Sequence, residues 1–201
     1  ERFFERDGET HSRYGLRKEK IEWIVIHYTG EARADGIGRK CACNYQTSRR
    51  SVSAHYVVGD DGIFKTLDEE KQIGWHCAVK DCTPKCGARN SNSIGIDLVE
   101  QKCDIYSCSV KDNDWHFSDQ VFDEGAQLVA YLAKKYNIPA DHIVRHYDVT
   151  GKWCPRPFVG DDMNSAYGKT GNWMWDAFKA RVARHMILNE VSQQLCEDSN
   201  L

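Results

Sequence analysis

The stretch IEWIVIHYTG, residues 21–30, is a run of apolar and β-branched residues that ends at Gly30. A run of this length, bounded by a turn residue, is typical of a strand buried inside a sheet. The pattern places His27 at the end of the predicted strand. Because a strand end presents its side chains to a shared cleft from a rigid element, His27 is a candidate functional residue.

The segments that follow predict a mixed α/β order. SVSAHYVVGDDGIFKTL, residues 51–67, contains the Asp61–Gly62 pair that is typical of a hairpin turn between two strands. Ser118 is a residue type that caps helices, and the apolar spacing after it predicts a helix that NIP, residues 137–139, ends. The remaining predicted elements are a weak helix in 41–50, extended segments in 91–100 and 142–149, and an amphipathic helix over 172–188.

The composition excludes several classes of partner. The 201 residues carry a formal net charge of -3, and 41% of them are hydrophobic and 28% charged. No excess of positive charge marks a surface for nucleic acid or anionic lipid. No stretch reaches the roughly 18 apolar residues of a transmembrane helix. We therefore expect one globular domain, a monomer, that neither binds nucleic acid nor inserts into a membrane.

The cysteines are unusually many and unevenly spread. Five of the nine fall in one window, at Cys77, Cys82, Cys86, Cys103 and Cys108. Such clustering is typical of disulfides in an oxidising compartment, or of a metal site if the thiols stay reduced. We predict disulfides that fasten a loop, with a second, structural zinc as the alternative.

A different setting surrounds the cysteine of RHYDVTGKWCPRPF, residues 145–158. Cys154 is followed by Pro155 and Pro157, which constrain the loop, and it comes eight residues after His146. With His27, these side chains offer two imidazoles and a thiolate to Zn²⁺, and three protein ligands leave a position for water, as in catalytic zinc sites. From these residues alone, Cys154 can equally be a buried thiol, half of a disulfide, or the nucleophile of a Cys-His hydrolase.

Taken together, the segments resemble the zinc-dependent N-acetylmuramoyl-L-alanine amidases, the family of phage endolysins and bacterial autolysins related to peptidoglycan-recognition proteins. The matching stretches are IVIHYTG, SAHYVVGDDG, IGWHC, NSIGIDLVE, KKYNIP and IVRHYDVTGKWCPRPF, in that order. The resemblance implies an α/β fold in which helices flank a mixed central β-sheet, with a groove over one catalytic zinc ion. It implies His27, His146 and Cys154 as the zinc ligands.

The resemblance also implies the catalytic groups. It places Lys152 beside the metal, where a positive charge stabilises the oxyanion of an attacked amide. Asp97 stands where the family has a glutamate that moves a proton at the metal. Aspartate keeps this acid–base chemistry but reaches one methylene less far. Glu100 ranks below Asp97, because the side chains of a regular strand alternate between its two faces.

Four further residues lie in segments that border the groove in this family. The resemblance makes them candidate substrate contacts: His55, Trp75, His76 and Arg156. Of these, Arg156 would meet a peptide or lactyl carboxylate, because guanidinium groups bind carboxylates.

The implied function is hydrolysis of bacterial peptidoglycan, between the lactyl group of N-acetylmuramic acid and L-alanine. The alternative is a module of the same fold that binds peptidoglycan or muropeptides without cutting them. We expect residues 20–188 to form the catalytic domain, 1–19 an N-terminal extension and 189–201 a C-terminal tail. We expect the place of action to be the bacterial cell wall, reached by secretion or through phage lysis.

Overall fold

The computed structural model describes residues 14–47, 51–77, 86–160 and 171–198. Its strands are β1 (Tyr14–Leu16), β2 (Trp23–Tyr28), β3 (Tyr56–Gly59), β4 (Gly62–Lys65), β5 (Gln72–Gly74), β6 (Ser93–Leu98) and β7 (Ile143–Arg145). Its helices are α1 (Gly38–Thr47), α2 (Asp119–Tyr136), α3 (His146–Thr150) and α4 (Asn172–Asp198). No helix within these ranges combines the length and the apolar character that crossing a membrane requires.

Five strands form a mixed sheet in the order β4-β3-β6-β2-β7. The β3–β4 hairpin is antiparallel, whereas β6 runs parallel to β2 and β3, and β2 runs parallel to β7. Strand β2 therefore has a hydrogen-bonded neighbour on each side and is covered on both faces. This position explains its continuous apolar run, since central parallel strands are buried throughout. The predicted mixed sheet and its first strand are confirmed.

Alternation along β2 divides the sheet into two faces with different tasks. Ile24 and Ile26 point into the main core with apolar residues of α2 and α4. Val25 points to the opposite face, into a smaller cluster with Val144 and Val149. Because side chains alternate along a strand, His27 shares the face of Val25. The helices α2 and α4 thus stabilise the sheet from one side and leave the other side for the site.

Helix α2 begins and ends as the sequence predicts. The Ser118 side chain accepts a hydrogen bond from the backbone N–H of Val121 at 3.1 Å. Asn137 ends the helix in the left-handed conformation, with a φ of 53°. Helix α4 begins where predicted but continues to Asp198, beyond the predicted end at residue 188.

The extended segment predicted over 142–149 is only half correct. The strand ends at Arg145, and His146 begins the short helix α3. Asp148 causes the change, because its carboxylate accepts a hydrogen bond from the backbone N–H of Arg145 at 2.9 Å and so caps the helix. Gly151, with a φ of 84°, then ends the helix and returns the chain towards the sheet.

The predicted disulfides are not present among the described cysteines. Seven of these are free thiols: Cys41, Cys43, Cys77, Cys86, Cys103, Cys108 and Cys154. Differences in burial explain in part why the predicted disulfides are not found. Cys77 lies in an apolar cluster on one face of the sheet, whereas Cys103 and Cys108 are exposed. Cys82 lies outside the described residues. Within the described ranges, no second group of side chains clusters as metal ligands would.

Candidate active site

Three predicted ligands meet at the carboxyl ends of two neighbouring strands. His27 lies near the end of β2, and His146 directly follows β7, which pairs in parallel with β2. Cys154 joins them because α3 is short and the chain turns back after Gly151. One ligand atom from each side chain lies within 4.8 Å of the others, and the Cys154 Sγ is 3.7 Å from the His27 Nδ1. All three side chains are buried.

The buried atoms of this cluster fit a metal ion. Both ring nitrogens of His146 are buried and have no hydrogen-bond partner. A buried polar group without a partner costs about 1–3 kcal/mol, which binding to a cation would offset. Burial lowers the pKa of His146 to about 4, so its imidazole is neutral at pH 7 and keeps a lone pair for a metal. Two neutral imidazoles and a sulfur are a donor set that suits Zn²⁺.

A chain of hydrogen bonds fixes which nitrogen of His27 faces the cluster. The His27 Nε2 lies 3.0 Å from the His76 Nδ1, and the His76 Nε2 lies 3.3 Å from the Ser93 Oγ. The Ser93 hydroxyl donates to the carbonyl oxygen of Arg89. Because the Ser93 hydroxyl uses its proton for Arg89, it accepts a hydrogen bond from the His76 Nε2–H. The His76 Nδ1 is then unprotonated and accepts a hydrogen bond from the His27 Nε2–H. This assignment leaves the His27 Nδ1 unprotonated beside Cys154, as a metal ligand requires.

A glycine in β6 makes room for His76. A Cβ atom on Gly95 would lie 2.6 Å from the His76 Cγ, closer than two non-bonded carbon atoms can approach. The ring therefore lies directly against the strand backbone. His76 is half-buried, and its backbone N–H donates to the Asn90 Oδ1 at 2.9 Å. The structure places this predicted substrate contact next to His27, a predicted metal ligand.

Asp97 lies beside His27 in the neighbouring strand. The two residues are partners in the parallel register of β2 and β6, so both side chains lie on the same face of the sheet. Asp97 is 4% exposed, and the Tyr45 hydroxyl donates to its Oδ2 at 2.5 Å. The carboxylate predicted to move protons therefore lies near the predicted metal ligands and accepts a hydrogen bond from a tyrosine of α1.

Glu100 is not a second acid at this position. Its carboxylate accepts hydrogen bonds from the backbone N–H groups of Thr29 and Glu31 and from the Thr29 hydroxyl. Burial raises the pKa of Glu100, and these three donors oppose that shift. Glu100 therefore has a structural role, because its hydrogen bonds fix the loop that follows His27.

Lys152 is exposed and lies two residues before Cys154. Burial, and after it the positive charge of Lys152, lower the pKa of His146. The electrostatic effect of the ammonium group thus reaches the cluster. The backbone N–H of Lys152 donates a hydrogen bond to the Thr150 Oγ1 at 3.3 Å, which fixes the position of the loop at Lys152.

His55 and Arg156 are committed to internal hydrogen bonds. The His55 Nδ1 accepts from the Gly95 N–H at 3.0 Å, and burial lowers its pKa to about 4. The buried Arg156 guanidinium donates to the carbonyl oxygens of Val110 and Val159. A contact with substrate would require either side chain to leave these partners. Trp75 is half-buried near the same region, where its backbone N–H donates to the Ser53 Oγ at 3.0 Å.

Sequence reasoning missed Tyr45 and the part that Ser93 plays. A signal existed for Tyr45, because Cys41, Ala42 and Tyr45 are spaced as one face of a helix, and this face packs on the sheet beside Val57. Ser93 gives no such signal, since its hydrogen bond to His76 depends on how distant segments meet.

Comparisons with known proteins show which family the chain belongs to. A family model described as N-acetylmuramoyl-L-alanine amidase matches residues 17–157. A probable N-acetylmuramoyl-L-alanine amidase of Bacillus licheniformis is 31% identical over 75% of this chain and 41% of its own length. The amidase CwlL of the same species is 31% identical over 75% of this chain and 40% of its own length. The chain thus spans about two fifths of these relatives.

Solved structures support the fold. The catalytic domain of XlyA has a TM-score of 0.59 at 23% identity, over 81% of this chain and 86% of that one. The PlyG catalytic domain has a TM-score of 0.59 at 21% identity, over 86% of each chain. The helix-flanked mixed sheet is therefore confirmed as an amidase fold. With the family model covering most of the sequence, the chain belongs to the N-acetylmuramoyl-L-alanine amidase family.

Proposed function

We propose that this chain is a zinc-dependent amidase of bacterial peptidoglycan. The observation that carries the proposal is the buried cluster of His27, His146 and Cys154, with Asp97 in the adjacent strand. Family membership supplies the reaction class, and this cluster supplies the groups that the reaction needs. The bond cut is the amide between the lactyl group of N-acetylmuramic acid and L-alanine of the stem peptide.

Each group has a distinct task in this proposal. His27, His146 and Cys154 would hold the zinc ion, which when bound would supply an activated water and a Lewis acid for the amide carbonyl. Asp97 takes the proton of the attacking water and passes it to the nitrogen of the leaving amine. The ammonium group of Lys152 stabilises negative charge on the carbonyl oxygen in the transition state. Exposure of Lys152 beside the buried cluster suits contact with an arriving substrate.

The environment of Cys154 argues against a cysteine hydrolase. A nucleophilic cysteine needs a thiolate, and such residues have a lowered pKa in a positively charged, partly exposed setting. Burial instead raises the pKa of Cys154 to about 12. Without a metal the side chain is a neutral thiol at pH 7, so a role as metal ligand suits it better.

Digestion of purified sacculi tests the proposal. The new ends must be a carboxylate on the lactyl side and an amine on the peptide side, so we expect peptides that begin with a free alanine amine. Reducing sugar ends should not increase. The matched control is the same protein after removal of metal by a chelator, with activity restored by added zinc.

Other products would contradict this assignment. A rise in reducing ends would indicate a glycosidase, and a new amine inside the stem peptide would indicate an endopeptidase. Binding to sacculi without any new ends would favour the alternative, a module of the same fold that recognises peptidoglycan without cutting it.

A further inference from the structure

We propose that Tyr45 is a positioning residue for the reaction, which holds the Asp97 carboxylate in the orientation that proton transfer needs. The inference rests on the proposed amidase function and adds a residue from a helix that carries none of the candidate ligands or acids. It starts from the 2.5 Å hydrogen bond that the Tyr45 hydroxyl donates to the Asp97 Oδ2.

Helix α1 is anchored so that Tyr45 reaches the site. The Asp61 carboxylate in the β3–β4 turn accepts hydrogen bonds from the backbone N–H groups of Gly38 and Arg39, at 2.6 and 3.2 Å. The helix start lies directly on β3, since a Cβ atom on Gly59 would be 2.2 Å from the Gly38 nitrogen. Two turns later, Tyr45 packs in the cluster that contains Val57.

The register of the sheet puts this contact where it matters. Val57, Asp97 and His27 are neighbours in one row across β3, β6 and β2. Tyr45 packs against one end of the row, and the metal cluster begins at the other end. Asp97 lies between them and is buried. The hydroxyl therefore acts on the carboxylate from the side opposite to the metal ligand.

The shorter side chain of aspartate explains why such a partner is useful. One methylene less reach makes the proton-transfer distance depend more on how the carboxylate is turned. A hydrogen bond to a charged carboxylate is short and strong, and it restricts rotation of the group. A carboxylate has about four acceptor sites, so one bond to Oδ2 orients it without removing its capacity to take a proton.

Tyr45→Phe tests the proposal because it removes the hydroxyl and keeps the ring. We expect kcat to fall roughly tenfold, the scale of a hydrogen bond to a charged group, with KM and zinc content unchanged. The matched control is Tyr131→Phe, which removes a hydroxyl from a half-exposed position on α2 and should leave kcat unchanged.

A double-mutant cycle with Asp97→Asn separates positioning from a merely structural role. If Tyr45 acts through Asp97, Tyr45→Phe should cause no further loss of kcat in the Asp97→Asn background. An equal loss in both backgrounds, or a wild-type kcat for Tyr45→Phe, would overturn the proposal. If Asp97→Asn itself kept the wild-type rate, the role of both residues would be wrong while the amidase assignment stood. A zinc-loaded wild type that releases no alanine amine would overturn the assignment and this role together.

Discussion

At the scale of single residues, His76 lies outside the predicted ligand set but contacts one of its members, His27. The His76 Nδ1 accepts a hydrogen bond from the His27 Nε2, and the other ring nitrogen of His27, Nδ1, faces Cys154. Second partners of this kind orient a ligand and set its tautomer, and they usually contribute ten- to a hundredfold in metal affinity.

His76→Ala should therefore weaken zinc binding without removing a ligand. We expect the dissociation constant for zinc to rise by about 10- to 100-fold, measured by competition with a chelator of known affinity. His185→Ala is a suitable control, since His185 pairs with Asp123 at the surface between α2 and α4. An unchanged affinity in the His76 variant would show that the relay does not act on His27.

Asp97 is the second residue whose role can be isolated. Asp97→Asn keeps the size and the burial of the side chain but cannot carry a proton. The variant should retain zinc and lose about 10²-fold or more in kcat, the usual contribution of general acid–base catalysis. Loss of zinc from this variant would instead make Asp97 a determinant of metal binding.

At the scale of elements, the glycines at the contact between α1 and β3 set how close that helix comes to the sheet. Gly59→Ala would place a methyl group 2.2 Å from the Gly38 nitrogen, so the helix must move away. We expect a loss of about 1–3 kcal/mol in unfolding free energy, the range for overpacking, and a lower kcat because Tyr45 moves with α1.

Gly125→Ala provides the comparison for that experiment. A Cβ atom on Gly125 in α2 would lie 2.8 Å from the Leu98 Cδ2 in the main core, so this variant is overpacked on the other face of the sheet. The variant should lose stability and keep its kcat. Equal kcat values for the two variants would show that the position of α1 on the sheet does not affect the site.

The same elements show what the sequence can predict. The β2 run, the Asp61–Gly62 hairpin and the Ser118 cap are local patterns, and each is found where predicted. The small sheet of β1 and β5 was missed because short strands pair over a long sequence separation. The hydrogen bonds from Tyr45 to Asp97 and from His27 to His76 also join segments that are distant in the sequence. Local residue spacing does not predict such contacts.

At the scale of the whole molecule, we expect the buried His55 to make the fold sensitive to acid. Burial lowers the pKa of His55 from 6.5 to about 4. As the pH falls below about 6.5, the unfolded chain takes up this proton while the folded protein does not, so stability decreases towards pH 4. For His55 alone, the expected loss from about pH 7 to about pH 5 is roughly 2 kcal/mol.

His55→Asn should make this pH dependence shallower, since asparagine can still accept the hydrogen bond from Gly95 but does not titrate. The check is the unfolding free energy of both proteins, zinc-loaded, across that pH range. Identical slopes for the two proteins would show that His55 does not contribute to the acid sensitivity.

The most direct test of the central claim is the amidase rate of metal-free protein titrated with zinc. If His27, His146 and Cys154 form the catalytic centre, release of alanine amines from sacculi should rise with added zinc and level off at about one equivalent per chain, as one catalytic ion predicts. Cys154→Ala should show no such rise at one equivalent. Full activity in metal-free protein, or a wild-type titration curve for Cys154→Ala, would contradict the account.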